Sequence, residues 1–207
     1  MRVEDRLFAT LDPRARRVGL GENLTAVITD TVGFIRKLPH DLVAPFRSTL
    51  EETARADLVL HVVDCAHPTW EEQLRVGDEV LAGLGVERER TMVVLNKIDL
   101  LTVPPSAGAA GGARAAVSAA TGAGVDALRQ AVRTAILQAP DVAILRVPLS
   151  EAALVQRAVA MPHQLARRFE EATLQLALRV DPRALAECGL EAYRVRRWDG
   201  GAAGGGA

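Results

Sequence analysis

The sequence predicts an α/β fold: a three-layer, mainly parallel sheet followed by a small α+β C-terminal subdomain. Three observations predict it. Apolar β-forming runs end in polar loops three times, at Asp30-Thr31-Val32-Gly33, at Asn96-Lys97-Ile98-Asp99 and at Ser118-Ala119-Ala120-Thr121-Gly122. Segments of helical period alternate with these runs, as when parallel strands are joined by crossover helices. After Pro140 that rhythm stops, and alternating apolar residues at Leu174, Leu176, Leu178 and Val180 replace it.

The elements follow in chain order. Arg14 to Leu20 and Leu24 to Thr29 flank Gly21-Glu22-Asn23, which predicts a β-hairpin. The second of these strands delivers Asp30 to the carboxyl edge of the sheet, where ligands of α/β proteins bind. Asp41 can cap a helix from Leu42 to about Ala54, with Leu42, Phe46 and Leu50 on one face and Pro45 in the first turn. Leu58 to Asp64 reads as a buried strand. His61 inside it reads as a satisfied core residue, and Asp64 at its end as a weaker site candidate. Thr69-Trp70-Glu71-Glu72 matches a capping box and starts a helix running to about Leu84. Thr91 to Leu95 is the next strand.

Val103 to Ala113, rich in Pro, Gly and Ala, is a surface loop. Ala115 to Ser118 is a short strand and Val125 to Leu137 an amphipathic helix. Beyond Pro140, Val142 to Val147 reads as a strand and Glu151 to Ala160 as a helix. Leu174 to Val180 reads as a half-buried strand. Asp181-Pro182 opens a short helix stopped near Gly189. The expected division is 1–140, 141–199 and a flexible tail over 200–207.

Composition bounds the function. With 207 residues, 49% of them hydrophobic, the chain can bury a core. A net charge of −1 argues against attachment to nucleic acid by global positive charge. Of 25 basic residues only Lys37 and Lys97 are lysines, an arginine excess that fits GC-rich coding. Arg194, Arg196 and Arg197 either touch RNA phosphates or form a solvated basic end. Cys65 and Cys188 share no metal-ligand spacing and read as reduced thiols of a cytoplasmic protein. No apolar run approaches the length of a membrane span. Nothing in the sequence marks an oligomeric state.

Asn96-Lys97-Ile98-Asp99 carries the most specific chemistry. Guanine presents N1–H and an exocyclic amine on one edge, and one carboxylate accepts from both; adenine lacks that donor pair. Asp99 fits this role. Asn96 can bond the base or tie neighbouring loops together. The Lys97 stem can lie along the base face while its ammonium reaches solvent.

Together with Leu7-Phe8-Ala9-Thr10-Leu11-Asp12-Pro13, Thr29-Asp30-Thr31-Val32-Gly33-Phe34-Ile35-Arg36-Lys37-Leu38-Pro39-His40 and Ser118-Ala119, this motif resembles the HflX family of ribosome-associated GTPases. The likeness is specific in the first half of the chain and loose after Pro140. It implies a P-loop GTPase type of sheet, GTP/GDP as ligand, Mg²⁺ as cofactor, and GTP hydrolysis. It also implies association with the rRNA and proteins of the large ribosomal subunit, in ribosome splitting or rescue. By motif position Thr10 would meet Mg²⁺ and the γ-phosphate, and Asp30 would hold Mg²⁺ through water. The Gly33 N–H would touch the γ-phosphate. Asn96, Lys97 and Asp99 would hold the base, with Ser118 and Ala119 in the loop whose Ala119 N–H meets the base carbonyl. Phe34 stands where many GTPases place a water-orienting Gln, so the catalytic group is not identified by this motif.

The family pattern also includes a strand, a G-x-x-x-x-G-K-[ST] loop and a helix ahead of the Thr10 segment. No such run occurs in these 207 residues. The expectation is therefore a sheet lacking one strand, with a slot between the Leu24–Thr29 and Leu58–Asp64 strands. The alternative function is a truncated, non-catalytic module that binds ribosome or protein. A third reading, an unrelated dinucleotide-binding enzyme, is disfavoured because no G-x-G-x-x-G follows a strand. Because the phosphate loop supplies much of nucleotide affinity, this chain should bind GDP at least about a thousandfold more weakly than a relative containing that loop, roughly 4 kcal/mol. Fluorescence titration giving a sub-micromolar Kd would refute this.

Overall fold

The computed structural model describes residues 14–21, 23–30, 53–103 and 114–198. The first strands, β1 (Arg14–Gly21) and β2 (Leu24–Asp30), form a two-stranded sheet. Only two residues separate them, so the pairing is a hairpin. Asn23 takes the left-handed φ of 65° that tight hairpin turns require. The predicted hairpin is therefore present. Of the predicted Leu42–Ala54 helix, Thr53 and Ala54 are helical, as is Arg55. The rest of that helix lies outside the described residues, as do Thr10, Gly33, Phe34 and most of the predicted Val103–Ala113 loop.

The chain forms two compact units, with boundaries inside the hairpin and after Val132. The first unit holds a three-stranded parallel sheet, β3 (Val59–Asp64), β4 (Thr91–Asn96) and β5 (Arg114–Ala116), in the order β3-β4-β5. The apolar run of β4 makes it the buried centre, with Met92, Val94 and Leu95 all essentially inaccessible. On one face Val63 and Leu95 pack with Leu74 of helix α1 (Trp70–Gly83) and with Cys65. Further along, Val59 packs with Leu81 and Val86.

His61 is a core residue, as its position in the strand suggested. Its Nδ1 lies 3.0 Å from Asp78 Oδ1 and its side chain is 9% exposed. Gly77 of α1 leaves room for the ring, since a Cβ there would collide with it. The other face of β3 is less covered than expected: Val62 is 57% exposed. The physical reason is position, because β3 is an edge strand of its described sheet. Among the described residues no ladder joins β2 to β3; they belong to separate sheets, as a slot between them requires.

The predicted capping box at Thr69 does not form. Thr69 has φ −111° and ψ 28° and makes no side-chain cap bond to the helix. Its Oγ1 instead lies 3.1 Å from His67 Nδ1, which also accepts the Thr69 N–H at 3.2 Å. A local imidazole has displaced the helix end as the hydroxyl's partner.

The second unit is built on a four-stranded antiparallel sheet in the order β7-β8-β6-β9: β6 (Val142–Pro148), β7 (Gln164–Phe169), β8 (Thr173–Arg179) and β9 (Arg194–Val195). Helix α2 (Val125–Leu137) precedes it, and α3 (Ala152–Ala160) and α4 (Pro182–Glu187) lie within it in sequence. The expectation of a half-buried β8 is corrected. Gln175 and Ala177 are as buried as Leu174, Leu176 and Leu178. The strand is central, and both its faces are covered. Gln175 meets this burial in part: Nε2 donates to Glu170 Oε2 at 3.1 Å, while Oε1 has no hydrogen-bond partner among the described residues.

Leu145, Val147, Leu174, Leu176 and Leu178 form one core with Ala158, Leu185 and Leu190. β7 and β9 are additions to the expected elements. β7 is interrupted by a register shift between Gln164 and Ala166, which breaks its alternation. α4 begins as predicted: Asp181 caps it by accepting the Arg183 N–H at 2.8 Å, and Gly189 follows with φ 71°.

Gly124, just ahead of α2, has φ 74°, and a Cβ there would overlap the Ala116 carbonyl at the end of β5. Replacing Gly124 by Ala should cost more than about 1 kcal/mol, because both the left-handed backbone and the close approach are lost. Urea denaturation of the variant measures this; an unchanged midpoint would refute it.

Candidate functional site

The carboxyl ends of β3, β4 and β5 carry the candidate site. Parallel pairing sets Asp64 opposite Asn96, the last residues of their strands. After Asn96 the chain turns sharply: Lys97 takes φ 69°, and Ile98–Leu100 form a single 3₁₀ turn. A left-handed lysine is uncommon, and this one is fixed by its surroundings. Asn96 Oδ1 accepts the Lys97 N–H at 2.8 Å and the Ala119 N–H at 3.0 Å. One side-chain carbonyl thus joins the loop after β4 to the loop after β5. Of the two roles open to Asn96, this geometry displays the loop tie.

Further bonds stitch the loops. The Ile98 N–H donates to the Val117 carbonyl at 3.2 Å, and the Val117 N–H to the Leu95 carbonyl at 2.8 Å. Ser118 is fully buried. Its Oγ accepts the Thr121 N–H at 3.1 Å, and its carbonyl accepts the Gly122 N–H at 2.8 Å. These bonds curl the Ser118–Gly122 segment into a closed turn. Asp99 lies on the 3₁₀ turn with an exposed side chain. The structure therefore brings Asn96, Lys97, Asp99, Ser118 and Ala119 together. Asp30 ends β2 with an exposed side chain.

Lys97 differs in one respect from the expectation of an ammonium simply reaching solvent. Its Nζ lies 2.7 Å from Asp64 Oδ2, while the side chain stays about half exposed. Asp64 Oδ1 accepts the Ala66 N–H at 3.1 Å. Burial pushes the Asp64 carboxyl up. The Lys97 hydrogen bond, the Ala66 N–H and the positive charges of Lys97 and His67 outweigh burial, and hold the carboxyl below its usual range. Burial, chiefly, raises the neighbouring Cys65 thiol, with the Asp64 and Asp99 charges adding to it. Its Sγ donates to the Asn96 carbonyl at 2.9 Å. Cys65 and Cys188 are both free thiols. The Asp64–Lys97 contact spans 33 residues and follows from strand register, so the only sequence signal for it was a carboxylate at the end of a strand.

These features belong to an α/β fold of the GTPase kind. A family model described as a 50S ribosome-binding GTPase matches residues 1–97. The GTPase HflX of Caldanaerobacter subterraneus subsp. tengcongensis is 55% identical over 104 residues, which is 50% of this chain and 24% of the relative. The GTPase HflX of Magnetococcus marinus is 48% identical over 139 residues, 65% of this chain and 32% of the relative. That of Escherichia coli K12 is 48% identical over 97 residues, 47% of this chain and 23% of the relative. The chain thus spans about a quarter to a third of the length of these relatives. Among solved structures, the SsGBP variant G235P superposes with a TM-score of 0.51 at 24% identity, over 64% of this chain and 50% of that one, a likeness of fold. On these matches the chain resembles the HflX family of GTPases.

The lowered Asp64 carboxyl has a pH consequence. Its folded value lies below the unfolded value of about 3.9, so its contribution to stability is present above that pH and is lost as pH falls through the folded value. The stability difference between wild type and Asp64→Asn should therefore shrink below about pH 4. Denaturation midpoints from pH 3 to 7 measure this small effect; a difference that grows as pH falls would refute the lowered carboxyl.

Proposed function

We propose that this chain supplies the guanine-reading part of an HflX-type GTP hydrolase that associates with the large ribosomal subunit. The observation that carries the reading is the Asn96 tie. By accepting from Lys97 and Ala119, Asn96 holds two loops in one geometry beside an exposed Asp99 carboxylate. In this reading Asp99 accepts from guanine N1–H and the exocyclic amine. The Lys97 methylenes wall one face of the base. The Ser118–Gly122 turn presents the Ala119 N–H towards the base carbonyl, and Asn96 gives up that donor when the base arrives. Residues 1–140 form the nucleotide-binding domain and 141–199 a separate α+β subdomain. Its exposed arginines, Arg194, Arg196 and Arg197, are suited to phosphates of ribosomal RNA.

In this reading Thr10 and Asp30 would hold Mg²⁺, Asp30 through water, and the Gly33 N–H would touch the γ-phosphate. Asp30 suits this: it offers an exposed carboxylate at the end of β2. Mg²⁺ in nucleotide sites takes one or two such oxygens, together with phosphates. When bound, the ion would neutralise charge on the phosphates. Phe34 has no group that orients water, so hydrolysis draws its water-positioning group from elsewhere in the assembly. Action in the cytoplasm, in ribosome splitting or rescue, follows from the family reading.

Asp99→Asn tests the base assignment. The new amide presents a donor to guanine's donor pair, whereas xanthine offers a carbonyl there. The ratio of GDP to XDP affinity should fall by about ten- to a hundredfold, the value of one hydrogen bond to a charged group. A ratio is read, so weak absolute binding does not hide the effect. An unchanged ratio would remove Asp99 from the base site.

A further inference from the structure

We propose that Asp64 is a positioning residue for Lys97, holding the lysine stem in place before the base arrives. The inference rests on the reading of the base site given above. Lys97 is anchored at both ends: its N–H is held by Asn96 Oδ1 at 2.8 Å and its Nζ by Asp64 Oδ2 at 2.7 Å. The anchor is itself fixed. Asp64 closes β3 opposite Asn96, and its second oxygen is held by the Ala66 N–H at 3.1 Å. The carboxylate therefore cannot follow the ammonium; the ammonium comes to it. Between the two anchors lie the four methylenes that would face the base.

A free lysine samples many rotamers, and ordering them on binding costs entropy. A stem already ordered removes that cost from the binding step. The alternative purpose, stabilising the fold, fits poorly. The Lys97 side chain is 51% exposed and that of Asp64 35% exposed, and pairs this open add little to stability. The left-handed backbone at Lys97 points the same way, since an uncommon conformation is maintained where a lysine must leave the strand in one direction.

The chain has only two lysines, Lys37 and Lys97, so amine acetylation read by mass spectrometry reports Lys97 alone, with Lys37 as reference. Asp64→Asn keeps an oxygen for the Ala66 N–H and removes the charge. At pH 8 without nucleotide, Lys97 should acetylate about two- to fivefold faster in Asp64→Asn than in wild type, the range an exposed pair supports. With GDP added, Lys97 should be protected in wild type. The GDP concentration for half-protection should rise by about two- to fivefold in Asp64→Asn. It should return towards the wild-type value in Asp64→Glu, which keeps the charge.

Equal acetylation rates without nucleotide would show that Asp64 does not hold the ammonium and would overturn the proposal. Equal half-protection in wild type and Asp64→Asn would overturn the positioning role while leaving the base site standing. Absence of GDP protection in wild-type chain would overturn the base-site reading itself, and the positioning role with it.

Discussion

A single side-chain carbonyl governs the geometry of this site. Asn96 Oδ1 takes two backbone N–H donors, one from the next residue and one from 23 positions downstream. An sp² oxygen has two lone pairs, so both bonds are made without competition. Removing it would leave two backbone donors unmatched in loops whose shapes they define. Asn96 holds this position because it ends the central strand of a parallel sheet, where the loops after the neighbouring strands converge. The apolar core beneath, with Met92, Val94 and Leu95 buried, fixes that strand rigidly. Core packing, strand register and loop geometry thus form one chain of dependence.

The same register explains the ion pair. Parallel pairing in phase from Val59 with Thr91 to Asp64 with Asn96 leaves the strand ends level. Two residues that end level strands lie side by side, and a lysine following one can reach the carboxylate of the other. A slip of one position would move Asp64 away from Asn96 and send its side chain to the opposite face. The buried residues on β3 and β4 prevent this, since slippage would expose Leu95 and Val63. A polar contact at the site is therefore maintained by apolar contacts beneath it.

Much of this was legible in the sequence. The three polar loops end apolar strands, and their side-chain chemistry reads directly. Asp181-Pro182 and Gly189 mark a helix through local backbone rules, and the Val125–Leu137 helix keeps the bounds its period set. The misreadings have physical causes. Thr69 carried a cap signature, but His67, two residues earlier, took its hydroxyl. Gln175 looked like a solvent-facing residue, but Glu170 supplied the partner that allowed its burial. β7 escaped notice because a register shift interrupts its alternation. In each case a partner or an irregularity outside the local pattern decided the outcome. The Asp64–Lys97 pair belongs to the same class, because a contact across 33 residues exists only once strand order is known.

The site also separates two kinds of binding. Every residue assigned to the base lies on β4, β5 or the loops that follow them, within one compact unit. The bonds that shape those loops run among Leu95, Asn96, Ile98, Val117, Ser118 and Ala119. Among the described residues, none of these bonds is made with the segment that the proposed reading gives to phosphate and metal. Base edges carry donor and acceptor patterns, so contacts to them decide which nucleotide binds. Phosphates are common to all nucleotides and carry most of the charge, so contacts to them decide how tightly. On the proposed reading, a base-reading half shaped by its own hydrogen bonds would keep a preference for guanine when phosphate contacts are weak. Preference and affinity then become separately measurable properties of this fold.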